Sequence, residues 1–152
     1  MPSKKKLPRT AIRPQTKEKA YESFVGTLEV FTIRLKSCSC DIDRGAVFDV
    51  AENGLNSLSQ SYEVLEISEK HFEAEGRYVF TMSANEEAQP VLSVRCSFVA
   101  HIHSERDIPK EYAARFAQFE LRLVLMPYAR QFVSNLTSQM SIPPVLLPLL
   151  KR

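Results

Sequence analysis

Two segments in the middle of the chain alternate between apolar and polar side chains. The first runs from Phe72 to Ser83, and the second runs from Leu92 to His103. Alternation with a period of two predicts antiparallel strands of a sheet that has one buried face and one wet face. The short polar connection over residues 85–90 is typical of a hairpin. A less regular apolar segment, Tyr62 to Ile67, predicts another strand before this pair.

The N-terminal part of the chain changes from a helical to a strand-like pattern. From Thr16 onward, apolar residues recur at the spacing of one helix face. They are Tyr21, Phe24, Val25, Leu28 and Phe31. Strand-like alternation follows, with one parity in Phe31, Ile33 and Leu35 and the opposite parity in Cys38, Cys40 and Ile42. The change of parity predicts a β-bulge near Lys36 and Ser37. Residues 43–60 contain two glycines, an Asn-Gly pair and two serines, which predicts a loop.

The C-terminal part of the chain has a helical pattern. Asp107 followed by Pro109 indicates a helix start, since a carboxylate can cap the first turn and proline needs no donor there. Apolar residues then recur at spacings of four and three, as in a helix that packs against a partner helix. They are Tyr112, Phe116, Phe119, Leu123 and Met126. Pro127 must kink this helix, because it has no N–H to donate to Leu123, and helical spacing resumes up to Met140.

These patterns together predict one α+β domain. Strands that precede a long helix in the same chain favour a sheet with its helix on one face. We therefore expect a short helix, then about four strands of an antiparallel sheet, and then a long kinked helix.

The charge distribution separates a basic leader from an acidic body. Residues 1–20 contain seven lysines and arginines and one acid, which leaves 13 basic and 17 acidic residues for positions 21–152. We predict a flexible leader over residues 1–16 and a single domain over residues 17–152. A basic leader can contact nucleic acid or an acidic partner, but a solvated terminus has the same composition. The longest uncharged apolar run is ten residues, whereas a membrane span needs roughly 20, so we expect no span.

The sequence contains no recognisable catalytic or metal-binding motif. The three cysteines are an odd number, which indicates a reducing compartment, and we expect a cytoplasmic protein. His101 and His103 are candidate metal ligands, but a polar strand surface explains them better. Strand alternation places several acids in water, where we expect solvated rather than paired catalytic carboxylates: Glu63, Glu66, Glu69, Glu73 and Glu75. We therefore expect no enzymatic activity, no metal and no cofactor.

The C-terminal tail is apolar but cannot be helical. Residues 141–150 carry no charge and include three prolines. An extended apolar segment must lie on something, so it either caps the core or lines an exposed groove. The sequence leaves both roles open.

The residues around Pro127 resemble a signature of the SecB chaperones. The stretch Leu125 to Arg130 is similar to the leucine- or phenylalanine-proline-tyrosine-alanine-arginine motif of that family's long helix. The residues after it match the family's pattern as well: Val133, Ser134, Leu136, Thr137, Ile142, Pro143, Leu147 and Pro148. The resemblance covers roughly residues 30–150, and residues 120–148 carry its specific part.

The resemblance implies an ATP-independent holdase that binds unfolded polypeptide in apolar grooves. It implies the corresponding fold, a four-stranded antiparallel sheet packed against a long kinked C-terminal helix. It also implies a homotetramer, built as a dimer of dimers, in which helices meet at the subunit interface. SecB chaperones pass export precursors to the translocation motor, and SecB-like proteins also serve as dedicated chaperones of antitoxins. The resemblance therefore leaves open whether the partner of this chain is the motor or an antitoxin. A different class of function, a nucleic-acid-associated protein, would use basic leader residues: Lys4, Lys5, Lys6, Arg9 and Arg13.

Three sets of residues follow as site predictions. The oligomer interface is predicted at Tyr112, Phe116, Phe119 and Leu123. The client-binding groove is predicted at Met140, Ile142, Val145, Leu146 and Leu147. The motif residues, which we expect to hold local structure instead of touching the client, are Pro127, Tyr128, Ala129 and Arg130.

Overall fold

A computed structural model describes residues 14–147 of the chain. Within this range the elements are α1 (Pro14–Val25), β1 (Leu28–Ile42), α2 (Val47–Asn53), β2 (Leu55–Ile67), β3 (His71–Ser83), β4 (Leu92–Ser104), α3 (Lys110–Phe119) and α4 (Leu121–Gln139). The leader predicted over residues 1–16 lies almost entirely outside the described residues.

The four strands form one antiparallel sheet with the order β1-β4-β3-β2. β3 and β4 lie at its centre, and the helices α3 and α4 pack against one face. The alternating apolar side chains of both central strands are buried on that face, where Tyr78 is opposite Cys96 and Phe80 is opposite Val94. The predicted α+β architecture is therefore confirmed.

β1 contains two irregularities, one of which the sequence predicts. Its register against β4 shifts between Leu35 and Ser37, which confirms the predicted bulge and leaves Lys36 as the extra residue. A second shift, between Val30 and Thr32, makes Phe31 an extra residue as well. Phe31 therefore belongs to the strand, and its prediction as part of the first helix face is wrong, because α1 already ends at Val25.

The loop predicted over residues 43–60 is wrong. The segment contains the short helix α2 and the beginning of β2. β2 is an edge strand, and most of its N-terminal half is exposed. Polar residues such as serine are therefore tolerated there, and the composition of this strand resembles that of a loop. Gly54 joins the two elements. A residue with a side chain does not fit there, because its Cβ would lie only 2.8 Å from the backbone oxygen of Ser83.

The predicted start of the helix is confirmed, but the prediction that Asp107 caps it is wrong. Pro109 occupies the N-cap position of α3, and no side chain caps the helix. Pro109 has extended backbone angles, and its carbonyl accepts the N–H groups of Tyr112 and Ala113 at 2.9 and 3.1 Å. Asp107 therefore lies too far upstream to act as the cap.

The C-terminal helical segment is interrupted at Glu120 and continuous through Pro127. Glu120 separates α3 from α4, and its backbone oxygen accepts the N–H groups of both Leu123 and Val124, at 2.9 and 3.4 Å. The bond from Leu123 closes a 3₁₀-type turn, which is frequent at helix ends. Pro127 lies inside the 19-residue helix α4, as predicted, and the Leu123 carbonyl loses its usual N–H partner there.

Candidate client-binding surface

The middle of the edge strand β1 is not covered by the helices. Leu35 and Cys38 lie on the helix-facing side of the sheet and are exposed. Their register partners on β4, Phe98 and Cys96, lie on the same side and are buried. α3 packs mainly against β2, and α4 packs against β3 and β4, and this helical layer does not extend over Leu35 and Cys38 of β1.

Aromatic residues of α4 extend this uncovered strand into an apolar surface. The Phe98 ring lies 6.4 Å from the ring of Tyr128 and 6.0 Å from that of Phe132. Leu35 is 43% exposed and Tyr128 is 46% exposed, while Phe132 is half-buried. We call Leu35, Phe98, Tyr128 and Phe132 the β1–α4 surface. Leu35 and Tyr128 give this cluster an exposed apolar border around the buried Phe98, and exposed apolar patches mark interaction sites on soluble proteins.

Most of the residues predicted for the client groove lie in the core. Ile142, Val145 and Leu147 are buried and Met140 is half-buried, whereas Leu146 is 77% exposed. Leu146 and Leu147 border a cavity of about 270 Å³ beside Pro127. The structure thus gives Ile142, Val145 and Leu147 the capping role, and client contact by the exposed Leu146 stays a prediction.

Backbone hydrogen bonds fix the tail against α4. Ser141 has a positive φ of 61°, which reverses the chain after the helix. The N–H groups of Ile142 and Val145 then donate to the backbone oxygen and the hydroxyl oxygen of Thr137, at 3.2 and 3.1 Å. Thr137 is buried, and its hydroxyl group also donates to the carbonyl of Val133 at 2.9 Å. The tail is therefore held by specific polar contacts as well as by apolar packing.

The predicted oligomer interface divides into buried and exposed residues. The Tyr112 ring lies 5.4 Å from that of Tyr21 and 5.2 Å from that of Phe24, so α1 occupies the place expected for a partner helix. Phe116 is buried. Phe119 and Leu123 are 51% and 53% exposed. Only these two remain open to another subunit, and their role in assembly stays a prediction.

The motif residues lie along one turn of α4 in different environments. Ala129 is fully buried and Arg130 is half-buried, whereas Pro127 and Tyr128 are exposed. Because Tyr128 belongs to the β1–α4 surface, its predicted role as a residue that does not touch the client is open to a direct test.

The opposite face of the sheet carries an ion-pair network around one buried acid. Glu75 was predicted to face water, but it is buried on this face. Its carboxylate accepts hydrogen bonds from Lys36 at 3.1 Å and from Arg77 at 2.9 Å, and Arg77 also pairs with Glu63. Lys36 is the extra residue of the predicted bulge, so the bulge lets β1 supply one of these cations. Long cationic side chains, together with Ser97, replace water around Glu75.

This network holds Glu75 in its ionised form. Burial by itself raises the pKa of the carboxyl group, but hydrogen bonds from Lys36, Ser97 and Arg77 outweigh burial, so the pKa of Glu75 lies below its usual value. A group whose pKa is lower in the folded than in the unfolded state stabilises the protein above the unfolded pKa. That stabilisation is lost as the pH falls through the folded pKa.

We expect Glu75→Gln to lower the free energy of unfolding by about 1–3 kcal/mol at pH 7, because it leaves Lys36 and Arg77 without their common acceptor. The difference from the wild type should shrink as the pH falls below the usual pKa of a glutamate, because the wild-type carboxylate takes up a proton only there. Urea unfolding at several pH values measures both effects. Glu63→Gln is the matched control, since Glu63 is exposed and should contribute less than about 1 kcal/mol. Equal losses in the two variants would contradict the assigned role of Glu75.

Neither a metal-ion cluster nor an activated thiol is found among the described residues. Across residues 14–147, no group of three or more histidine, cysteine or acidic side chains is arranged to hold a metal ion. Cys38, Cys40 and Cys96 are free thiols, and burial raises the pKa of Cys96 to about 11. A thiol with such a pKa is protonated at neutral pH and weakly nucleophilic. None of the described helices is long and apolar enough to cross a membrane.

Comparisons with known proteins agree with this architecture. No protein-family model matches the sequence, and no curated protein matches it. The chain is similar to a solved structure of the Mycobacterium tuberculosis Rv1957 SecB-like chaperone in complex with a ChAD peptide from the Rv1956 HigA1 antitoxin. The two are 20% identical, with a TM-score of 0.69 over 88% of this chain and 98% of that one.

A protein of unknown function from Streptococcus agalactiae is also similar, with 11% identity and a TM-score of 0.50 over 80% of this chain and 97% of that one. At these identities the likeness shows the fold. The chain therefore has a SecB-like fold, and the resemblance predicted from residues 120–148 is confirmed at that level.

Proposed function

We propose that this chain is an ATP-independent chaperone that holds unfolded polypeptide on its β1–α4 surface. The observation that carries the proposal is the uncovered strand β1 beside the aromatic residues of α4, on a SecB-like fold. Unfolded chains expose apolar side chains and backbone N–H and C=O groups. An edge strand next to apolar side chains offers partners for both. No nucleotide is needed, because holding uses binding energy alone, and we propose no catalytic activity for the chain.

Two client classes fit this proposal. The similar mycobacterial structure contains an antitoxin peptide, which supports a chaperone dedicated to an antitoxin. Delivery of export precursors to the translocation motor is the alternative, and the sequence motif around Pro127 supports it. We infer a cytoplasmic protein in either case, since a reducing compartment keeps three cysteines as free thiols.

The proposal is tested by suppression of aggregation. A chemically unfolded substrate is diluted into buffer with and without the full chain, in the absence of nucleotide, and light scattering is followed over time. We expect suppression at about equimolar chain, unchanged by ATP. Moderate salt should have little effect, since apolar binding is not screened. An absence of suppression at a severalfold molar excess of the chain over the substrate would refute the proposed chaperone function.

The salt series also tests the basic leader as a nucleic-acid contact. Binding to phosphates through the leader would fall steeply between about 50 and 200 mM salt. If the chain binds an unlabelled DNA duplex at low salt and does not suppress aggregation, the proposed chaperone function is wrong and a nucleic-acid-associated protein is indicated instead.

We expect the chain to be an oligomer in solution, with Phe119 and Leu123 at a subunit contact. Phe119 and Leu123 lie four residues apart on either side of the α3–α4 junction, and exposure of two large apolar side chains is unfavourable unless another surface covers them. Light scattering should give a mass at least twice the 17.3 kDa of one chain. The variant Phe119→Lys/Leu123→Lys should give a smaller assembly, and a monomeric wild type at micromolar concentration would exclude the interface.

A further inference from the structure

The thiols of Cys38 and Cys96 face each other across two neighbouring strands. Cys38 on β1 is the register partner of Cys96 on β4, and both side chains lie on the helix-facing side of the sheet. Residues opposite each other in an antiparallel pair have Cα atoms about 4.5–5.5 Å apart. A disulfide bond needs Cα atoms roughly 4.4–6.8 Å apart, so the strand register meets this requirement.

The bulge in β1 creates this pairing. Leu35 lies opposite Phe98, so a regular strand would place Cys38 opposite Arg95 and on the other face of the sheet. Lys36 is the extra residue that moves Cys38 into line with Cys96. From Ser37 to the end of β1 the register is regular. The pairing of the two thiols therefore follows from a specific feature of the strand.

Two contacts show that the strands are close at this point. The hydroxyl oxygens of Ser37 and Ser97, the adjacent register pair, are 2.9 Å apart. Burial raises the pKa of Cys96 to about 11, and the neighbouring Cys38 thiol contributes to that increase in pKa. Side chains of adjacent residues on both faces thus meet between β1 and β4.

Cys40 is a poorer partner for either thiol. Its register partner is Val94, so it lies diagonal to Cys96, at about 7–8 Å between backbones. Cys38 and Cys40 are two residues apart on one strand, which separates them by about 6.4–6.8 Å along the same face. A disulfide bond needs Cβ atoms only about 3.5–4.5 Å apart. The geometry therefore favours Cys38 with Cys96.

We propose that Cys38 and Cys96 form a disulfide bond when the chain meets a hydroperoxide. Cys38 is exposed and Cys96 is buried, so the oxidant reaches Cys38 first. The Cys38 sulfur takes one oxygen from the peroxide as the O–O bond breaks, which gives a sulfenic acid and one molecule of water.

The Cys96 sulfur then attacks the Cys38 sulfur, the S–O bond breaks, and a second molecule of water leaves. Each thiol has lost one hydrogen, and the peroxide has accepted the two electrons. Few Cys96 thiolates exist at neutral pH, because the pKa of Cys96 is about 11, so this step is slow there. The fixed position of the two sulfur atoms offsets part of this disadvantage.

The bond would hold the edge strand on the sheet. β4 is the only strand next to β1 among the described residues. A covalent link at residues 38 and 96 would prevent β1 from separating from β4. It would also restrict the unfolded chain, because it closes a long segment.

The test treats the folded full chain with hydrogen peroxide at about pH 9, where the Cys96 thiolate is more abundant than at neutral pH. Remaining thiols are then blocked with iodoacetamide, and peptides are mapped by mass spectrometry without reduction. We expect a mass loss of about 2 Da before blocking, a link between Cys38 and Cys96, and a free thiol at Cys40. Three free thiols, or Cys38 oxidised to a sulfinic acid beside a free Cys96, would overturn the proposal.

Cys40→Ser is the matched control, because Cys40 lies on the same strand and the same face as Cys38. It should form the link as the wild type does, whereas Cys38→Ser should leave Cys96 as a free thiol. Cys38 is exposed, so its replacement should not disturb folding. A link from Cys40 to Cys96 in Cys38→Ser, with the same yield as the wild-type link, would refute the pairing by register. Equal yields of the wild-type link in buffer and in denaturing urea would refute it as well.

Thermal unfolding measures the effect of the bond on stability. The oxidised chain should melt about 5–10 °C above the reduced chain, and dithiothreitol should reverse the difference. Hydrogen exchange of the β1 amides should slow on oxidation, since β1 can no longer open separately. A lower melting temperature after oxidation would show that the bond strains the sheet and would overturn its stabilising role.

A last expectation rests on the proposed chaperone function, because Leu35 of the β1–α4 surface precedes the linked pair on the same side of β1. At a temperature between the two melting temperatures, the oxidised chain should suppress aggregation and the reduced chain should not. Suppression by the reduced chain alone, at any temperature, would overturn this protective role. An absence of suppression by both forms at room temperature would overturn the proposed function and leave the disulfide, which is established by mass spectrometry, unaffected.

Discussion

The variant Ile142→Ser/Leu147→Ser is expected to lose most of its stability, with a melting temperature more than about 10 °C below that of the wild type. Both side chains are almost completely buried against the core. Large-to-small changes at such positions cost about 2–5 kcal/mol each, and polar replacements add the cost of burying a hydroxyl group. A domain of this size has only ~5–15 kcal/mol of stability in total.

Leu146→Ser is the matched control within the same tail. Leu146 lies between buried neighbours but is mostly exposed, so its truncation leaves no cavity. Its melting temperature should lie within about 2 °C of the wild-type value. Thermal unfolding followed by circular dichroism measures all three proteins. Similar, small shifts in the double variant and the control would mean that the tail is not part of the core.

The central strands could be predicted because one of their faces is apolar and the other is polar. β3 and β4 each have a neighbouring strand on both edges, with helices on one face and ion pairs on the other. Such strands show clear alternation. β2 lacks a neighbour on one edge, so its N-terminal serines meet water on most sides and resemble a loop.

The environment of Glu75 could not be predicted by alternation alone. Alternation assigns a residue to a sheet face, but it does not say whether long side chains from adjacent strands cover that face. Lys36 reaches Glu75 only because of the bulge, whose position the sequence indicated but whose side-chain direction it did not. The contact between the Nδ1 atoms of His71 and His103, which are 3.0 Å apart, has a similar origin. Once the β3–β4 hairpin is fixed, its register places His71 opposite His103, but the register depends on a connection whose geometry the sequence leaves open.

The two roles of the tail could not be distinguished by composition. A core cap and a groove wall both require apolar residues, and proline excludes a helix in either case. The contacts of Thr137 with the N–H groups of Ile142 and Val145 determine which side chains turn inward. The resemblance to the SecB motif located Thr137 but implied no role for it.

The extent of the helical layer explains why the exposed surface was missed. Leu35 has the alternation of a buried residue, and it would be buried if a helix covered β1. A helix with its side chains is about 10 Å wide and strands are about 4.8 Å apart, so one helix covers roughly two strands. α3 and α4 follow each other end to end and cross from β2 to β4. The two helices leave the middle of β1 uncovered, and no periodicity in the sequence predicts where the helical layer ends.

The largest functional effect is expected from two substitutions in the β1–α4 surface, Leu35→Thr and Tyr128→Gln. Threonine retains the strand preference of an edge position, and glutamine retains the helix preference of α4, so the backbone should be unaffected. Both wild-type side chains are already partly hydrated, so stability should change by less than about 1 kcal/mol.

Aggregation suppression should nevertheless fall by about tenfold or more in the double variant. Two apolar contacts at the centre of a binding surface are worth at least ~1.4 kcal/mol together, and that free energy corresponds to a factor of ten in affinity. Phe48→Ser is the control, since Phe48 is comparably exposed but lies on α2, away from this surface. It should hold clients as well as the wild type does. Full holding activity in the double variant, together with its loss in Phe48→Ser, would move the client site from β1 and α4 to the region of α2.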